Sequence, residues 1–276
     1  MPVITISRQL GSLGREIAQR LSKDLNCKYL DKESLEEAFG EYGLPKESLE
    51  RFDEKKPGFW DLFKTDKARY LHFMKEAIFE FAREGKGIIL GRGGQVLLTD
   101  LPGVLRVRTI APKEVRQQRI MERLKCDEDH ALKIIEQSDS ERAGFHKFFF
   151  GVNWENPDLY DLTVNTASFS AETAARLIKD IIDTDEFKAA QKETTHKLTD
   201  RCLEHAIKTA VVYKNRILVQ FLEVSADRGA VTIRGIVDNN DDLERCEKIV
   251  GEIPGVKEVY NEVYYSPITS AYGIHY

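Results

Sequence analysis

The stretch 4-ITISRQLGSLGREIAQRL-21 decides the fold. An apolar run of strand character, 2-PVITI-6, gives way to a polar turn with two glycines, and the residues beyond repeat at helix spacing. A loop between the C-terminal end of a strand and the start of a helix gathers unpaired backbone N–H groups and the positive end of the helix dipole, so it attracts phosphate. Gly11 and Gly14 let the backbone approach a ligand, and Arg15 stands where the pattern G-x-x-x-x-G-K-[ST] has its lysine. Counted back from Gly14, the first glycine of that pattern falls on Gln9, and its Ser/Thr falls on Glu16. The same residues also read as a plain strand-to-helix turn with Arg15 and Glu16 solvated, so the choice rests on the rest of the chain.

Further buried-strand runs at 87-GIILG-91, 104-VLRVRTI-110 and 161-DLTVN-165 are each followed by a loop and a helix-period segment. Strands alternating with helices predict an α/β fold, a parallel sheet covered on both faces. Between the first two strands a mostly helical stretch, roughly 32 to 84, carries turn signals at 43-GLP-45 and 57-PG-58 and reads as a cap over a ligand. The pattern turns polar around 183-DTDEFKAAQKETTHKLTD-200, a linker or linking helix. A second unit follows: helix 199–213, strand 216–225, strand 229–238, helix 240–253 and strand 256–265, with a hairpin signal at 227-DRG-229. The expected organisation is 1–184, a linker over 185–198, a small α+β domain over 199–265 and a tail over 266–276.

The 276 residues suffice for a medium domain and a small one. Charged residues nearly cancel to a formal net charge of −5, so no global basic field recruits nucleic acid or an anionic membrane. The four cysteines are widely spaced without a CxxC pair, which argues against a metal site or a disulfide framework. No stretch reaches the roughly 18 consecutive apolar residues of a membrane helix, and the N-terminus lacks the features of a secretion signal. A cytoplasmic protein is the expectation.

Three arginine-bearing segments suit chemistry at a phosphate loop. Arg92, in 90-LGRGGQVL-97, sits at a strand tip, where open α/β sheets bind ligands. Arg116, Arg119 and Arg123 share one face of a helix opened by Pro112. The stretch 137-QSDSERAGFHKFFF-150 mixes Asp139, Arg142 and Lys147 with an aromatic run. Phosphoryl transfer asks chiefly for several cations on the moving group with water excluded. Phe59, Trp60 and Tyr70 in the insert are candidates to stack on a base.

Taken together, 3-VITISRQLGSLGREIA-18, 29-YLDKESL-35, 90-LGRGG-94, 110-IAPKEVRQQRIMER-123 and 138-SDSERAGFHKFF-149 resemble the cytidylate kinase-like family, a divergent branch of the nucleoside monophosphate kinases. The resemblance runs from residue 2 to about 183 in the expected order. It implies a P-loop fold with ATP phosphates on Gly11, Ser12, Leu13, Gly14, Arg15 and Glu16; Glu16 departs from the hydroxyl that holds Mg2+ in the pattern, which leaves its own carboxylate, Ser7 or Ser12 as candidates for the ion. Arg92 and Gly93 match the GRDxG turn of true cytidylate kinases, which contacts the acceptor, with Gly93 in the aspartate's place. The 139-DSER-142 stretch matches their D-S-x-R lid, carrying over Asp139 and Arg142, while Arg119 matches a basic position before the lid and Asp31 lies near the acceptor site. The implied acceptor set is Asp31, Arg92, Gly93, Arg119 and Asp139, with Arg15, Arg142 and Lys147 acting on the transferring group.

The tail resembles a BON domain, through 231-VTIRGIVD-238 and 255-GVKEVYNEVYY-265, and its hairpin sheet reads as a ligand-binding, docking or self-association surface. The leading expectation is an ATP-dependent kinase acting on a CMP-like small nucleotide. Its alternative is a non-catalytic nucleotide sensor whose lid closure regulates the BON-like module, and a scaffold that binds no nucleotide is the third.

Overall fold

The computed structural model describes residues 2–41, 64–85 and 87–267. The turn signals at 43–45 and 57–58, together with Phe59 and Trp60, lie outside the described residues. The chain divides into two compact units, Met1–Thr194 and Thr195–Tyr276.

In the first unit the described elements are β1 (Val3–Arg8), α1 (Gly14–Asp24), β2 (Lys28–Leu30), α2 (Lys32–Glu41), α3 (Lys64–Arg83), β3 (Gly87–Leu90), the short α4 (Gly94–Leu97), β4 (Val104–Ile110), α5 (Lys113–Leu124), α6 (Glu128–Phe150), β5 (Leu162–Asn165), α7 (Ala171–Ile182) and the start of α8 (Asp185–Lys208). Five strands form a parallel sheet in the order β2-β3-β1-β4-β5. The chain leaves β1 for β2 at one edge and later adds β4 on the other side of β1. Connections therefore diverge at the carboxyl end of β1, the place where open α/β sheets bind ligands.

Alternation along β1 assigns its two faces. Ile4 and Ile6 enter a core built with Ile17, Ala18 and Leu21 of α1 and Ala174, Ala175, Ile178 and Ile182 of α7. Burying each large aliphatic side chain there contributes about 1.5–3 kcal/mol. Thr5 and Ser7 point to the other face and are buried as well. Helix ends follow their local chemistry: Asp127 caps α6 by accepting from the His130 amide at 2.8 Å, Gly151 ends that helix at φ 68°, and Ser170 caps α7 through the Thr173 amide. Pro112 caps α5, one residue before the first helical position. The stretch 137–150 proves to be the second half of the 23-residue α6. The three-residue β2 is too short for a periodic signal of its own.

The stretch 185–198 is helical, within α8. In the second unit α8 runs into a π-helical turn, Thr209–Lys214, followed by β6 (Gln220–Asp227), β7 (Ala230–Val237), α9 (Asp241–Gly251) and β8 (Glu258–Tyr265). Strands β6 and β7 begin and end within a few residues of the sequence expectation, and β6 carries a register shift between Gln220 and Glu223. Arg228 (φ 50°) and Gly229 (φ 92°) make the hairpin turn, both left-handed as a two-residue type I′ loop requires. Strand β8 joins β7 in parallel, with α9 as the crossover. Leu203, Ile207, Val231, Ile233 and Val250 centre the core of this unit. Among the described residues no helix is long and apolar enough to cross a membrane, and no group of three or more His, Cys, Asp and Glu could hold a metal ion.

Candidate functional site

The loop after β1 is shaped from within. Ser12 is fully buried, its hydroxyl bonded to the Gln9 carbonyl (2.8 Å), the Thr109 carbonyl (2.9 Å) and the Thr109 hydroxyl (2.8 Å). Ser7 is buried too, and its Oγ accepts from Trp154 Nε1 at 2.7 Å and from the Tyr160 hydroxyl at 3.3 Å. Both hydroxyls are thus engaged inside the protein. Of the three side chains the resemblance offers to Mg2+, that leaves Glu16, which is exposed in the first turn of α1.

Two close approaches explain the loop glycines. Gly11 has φ +81°, and a β-carbon there would sit 3.1 Å from the Arg116 carbonyl oxygen. Gly14 lies where a β-carbon would be 2.5 Å from Cβ of Arg8 and 2.9 Å from Oγ1 of Thr109. Leu13 caps α1 in the left-handed region, at φ 59°. The backbone is therefore wound tightly between β4 and α5, with the first-turn amides of α1 facing outward from its start.

Arginines from α5 and α6 reach this loop. Arg119 donates to the Gly11 carbonyl (3.0 Å), the Thr166 hydroxyl (3.0 Å) and the Thr166 carbonyl (2.7 Å), which places it at the phosphate loop. Arg116 is buried, pairs with Asp139 Oδ2 at 2.7 Å and lies 3.4 Å from the Leu10 carbonyl, and its Nε has no hydrogen-bond partner. Arg142 stands 3.9 Å from Asp139 Oδ1. Asp139 is therefore the shared counter-ion of two arginines. A cavity of about 370 Å³ beside the loop is lined by Gly11, Leu13, Ile120 and two pairs of opposite charge, Glu16 and Glu122 with Arg119 and Arg123. A slightly larger cavity, about 400 Å³, lies at the opposite end of the sheet around Leu101, Arg106 and Asp161, away from these cations.

Arg15 is exposed and points to Glu33 at 3.8 Å. Asp31 caps α2, accepting from the Ser34 amide (3.1 Å) and hydroxyl (3.2 Å). Burial raises its carboxyl, but those hydrogen bonds, a contact with Glu33 and the Arg15 charge outweigh it and hold the pKa below the ordinary carboxylate value. Lys147 is exposed, on the face of α6 away from buried Phe145 and Phe149.

The second loop is equally constrained. Gly91, Arg92 and Gly93 are consecutive left-handed residues, at φ 81°, 53° and 71°. Arg92 is buried, donates to the Tyr70 hydroxyl at 3.4 Å and lies over the Phe145 ring at 5.7 Å. Tyr70 thus serves the loop from α3 and packs edge-on against Phe39. Sequence reasoning missed a buried polar chain between α6 and β1. His146 Nδ1 meets the Arg142 carbonyl at 2.7 Å and its Nε2 meets Gln95 at 2.7 Å, while its ring stacks on Trp154, the residue bonded to Ser7. Burial, the largest cause, pushes the Tyr160 phenol upward. Arg108 covers Trp154 at 5.0 Å and Tyr160 at 5.5 Å. Only the adjacency of Ser7 and Arg108 on paired strands could have hinted at this.

The profile of the cytidylate kinase-like family matches residues 3–168. The chain belongs to the cytidylate kinase-like family. Residues 199–267 match the BON domain. The cytidylate kinase of Methanocaldococcus jannaschii is 30% identical over 107 residues, 38% of this chain and 60% of that protein, so the chain spans less than two thirds of that relative. The cytidylate kinase of Methanopyrus kandleri is 27% identical over 182 residues, covering 66% of this chain and 93% of that protein. An uncharacterized protein from Eubacterium ventriosum shares the fold, with a TM-score of 0.52 at 24% identity, over 67% of this chain and 99% of that one. In this cytidylate kinase-like unit the glycine in the aspartate's place has a steric cause. A β-carbon on Gly93 would lie 2.2 Å from Cε2 of Phe150, so the ring fills the space that an aspartate would need.

Proposed function

We propose that the first unit transfers the γ-phosphoryl group of ATP to a small phosphate-bearing acceptor of the nucleoside monophosphate class. The observation that carries this reading is the gathering of cations at one loop: Arg119 on the Gly11 carbonyl, Arg116 near the Leu10 carbonyl and Arg142 across Asp139. Such a loop suits a polyphosphate, because first-turn amides supply directed donors and guanidinium groups add charge-assisted ones. The Gly11 cradle and the unpartnered Nε of Arg116 fit a triphosphate. Mg2+, when bound, neutralises phosphate charge, and Glu16 is the loop side chain suited to hold it. Arg15, Arg142 and Lys147 are proposed to act on the transferring group. Asp31, Arg92 and Gly93 are proposed on the acceptor side. The acceptor phosphate is itself the nucleophile, so no separate base is required.

A nucleotide sensor is the second reading, favoured by the pairing of Asp139 with both arginines, which mutes the clamp. The BON domain is proposed as a docking or self-association module, a reading supported by exposed Phe221, Tyr260 and Tyr264. One experiment separates the readings. Purified protein is given MgATP with CMP, UMP or AMP while ADP release and the melting temperature are followed. ADP above blank with one acceptor supports the kinase, and a thermal shift with ATP but no ADP supports the sensor. No shift with any nucleotide refutes both.

A further inference from the structure

The kinase reading leaves one region without an assigned cation, the space between the phosphate loop and the Arg92 loop, and Arg8 lies there. Arg8 is the last residue of β1. Its stem packs on Gly14, where a β-carbon would meet Cβ of Arg8 at 2.5 Å and Cγ at 2.9 Å. Its head packs on Gly91, where a β-carbon would meet Nη1 at 2.0 Å and Cζ at 3.1 Å. The side chain thus runs from the first residue of α1 to the first residue of the second glycine loop. The same arginine packs on both glycines, its fixed Cβ at Gly14 and its movable head at Gly91. At Gly14 the backbone is one any residue adopts and only space is lacking, whereas Gly91 also has φ +81°.

The backbone fixes this placement. The Gly91 amide donates to the Ile6 carbonyl at 2.9 Å, tying the second loop to β1 two residues before Arg8. Strand β1 continues in register with β4 through the pair Arg8 and Thr109, the residue that also holds Ser12. Arg15, which occupies the lysine position of the loop pattern, is exposed beside Glu33. A cation rooted in a central strand loses less freedom on binding than one on a solvated side chain.

We propose that Arg8 is a catalytic cation that spans the donor and acceptor phosphates. The proposal rests on the kinase reading. A planar guanidinium with five donors can serve two phosphate groups together, which an ammonium does less well. In the step served, an acceptor phosphate oxygen forms a bond to the γ-phosphorus as the bond to the β,γ-bridging oxygen breaks. The electron pair leaves with ADP, and Arg8 keeps its protons while its N–H groups face the migrating charge.

The test uses the full chain and two probes, MgATP alone and adenosine–cytidine pentaphosphate, which carries a donor and an acceptor end on one phosphate chain. Arg8→Met keeps the stem on Gly14 and removes the charge; Arg8→Lys keeps a charge without the fork and serves if the first variant does not fold. The expected result in calorimetric titration is a loss of MgATP affinity of about threefold or less, with pentaphosphate affinity falling by about tenfold to a hundredfold in Arg8→Met, the worth of one charge-assisted contact. Arg8→Lys recovers part of that loss. Equal losses for the two probes, or none for either, overturn the assignment of Arg8. Wild-type protein that binds neither probe overturns the kinase reading itself, which separates the two failures.

Discussion

Replacing Gly14 with alanine sets two contributions of opposite sign against each other. Gly14 opens α1 with a backbone that alanine also adopts, and helix propensity favours alanine by about 1 kcal/mol. Packing opposes it. The new carbon would lie 2.5 Å from Cβ of Arg8 and 2.9 Å from Oγ1 of Thr109, where carbon atoms rest about 3.5–4.0 Å apart. A Cβ in a central strand cannot swing aside, so α1 has to move off β1 and β4 by roughly 1 Å, and overpacking of this kind costs about 1–3 kcal/mol. Moving Thr109 also disturbs its 2.8 Å contact with the buried Ser12 hydroxyl, worth about 1 kcal/mol. The propensity gain and the lost contact cancel, and a net destabilisation of about 1–3 kcal/mol remains. Urea unfolding followed by tryptophan fluorescence measures it. Trp154 is buried in the first unit, and the second unit, Thr195–Tyr276, contains no tryptophan in its sequence, so the change in signal follows the first unit. A variant whose midpoint equals or exceeds that of the wild type would refute the packing account and leave helix propensity in control.

Two further outcomes follow from the charges of the site. Asp139→Asn leaves buried Arg116 without its anion and is expected to lower stability by about 1.5–3 kcal/mol, the worth of a hydrogen bond to a charged group. Saturating MgATP should narrow that gap in melting temperature, and a gap indifferent to nucleotide would show that the arginines do not face phosphate. Asp31 has a lowered folded pKa, so its contribution is complete above the unfolded pKa and is lost as pH falls through the folded one. Asn also caps helices well, so Asp31→Asn should match the wild type near neutrality and show a flatter stability decline below the usual carboxylate range. Parallel acid-denaturation curves for the two proteins would remove Asp31 from that linkage.

What the chain's own order determined is what local physics controls. Apolar runs of strand length and helix-period segments marked the four longer strands of the first sheet, because the side-chain pattern of a strand is carried by its own consecutive residues. The left-handed pair Arg228 and Gly229 was legible as a hairpin because two-residue loops demand those conformations. The resemblance to the cytidylate kinase-like family was carried by several motifs in order along the chain, and the family profile matches residues 3–168. Tertiary structure alone decided which groups meet. It turned the Ser7 and Ser12 hydroxyls inward, sent Arg119 to Gly11, joined Arg116 to Asp139 and laid Arg8 against Gly91. These contacts join segments far apart in the chain, and their geometry depends on strand order and helix packing, for which a one-dimensional pattern of polarity carries no signal.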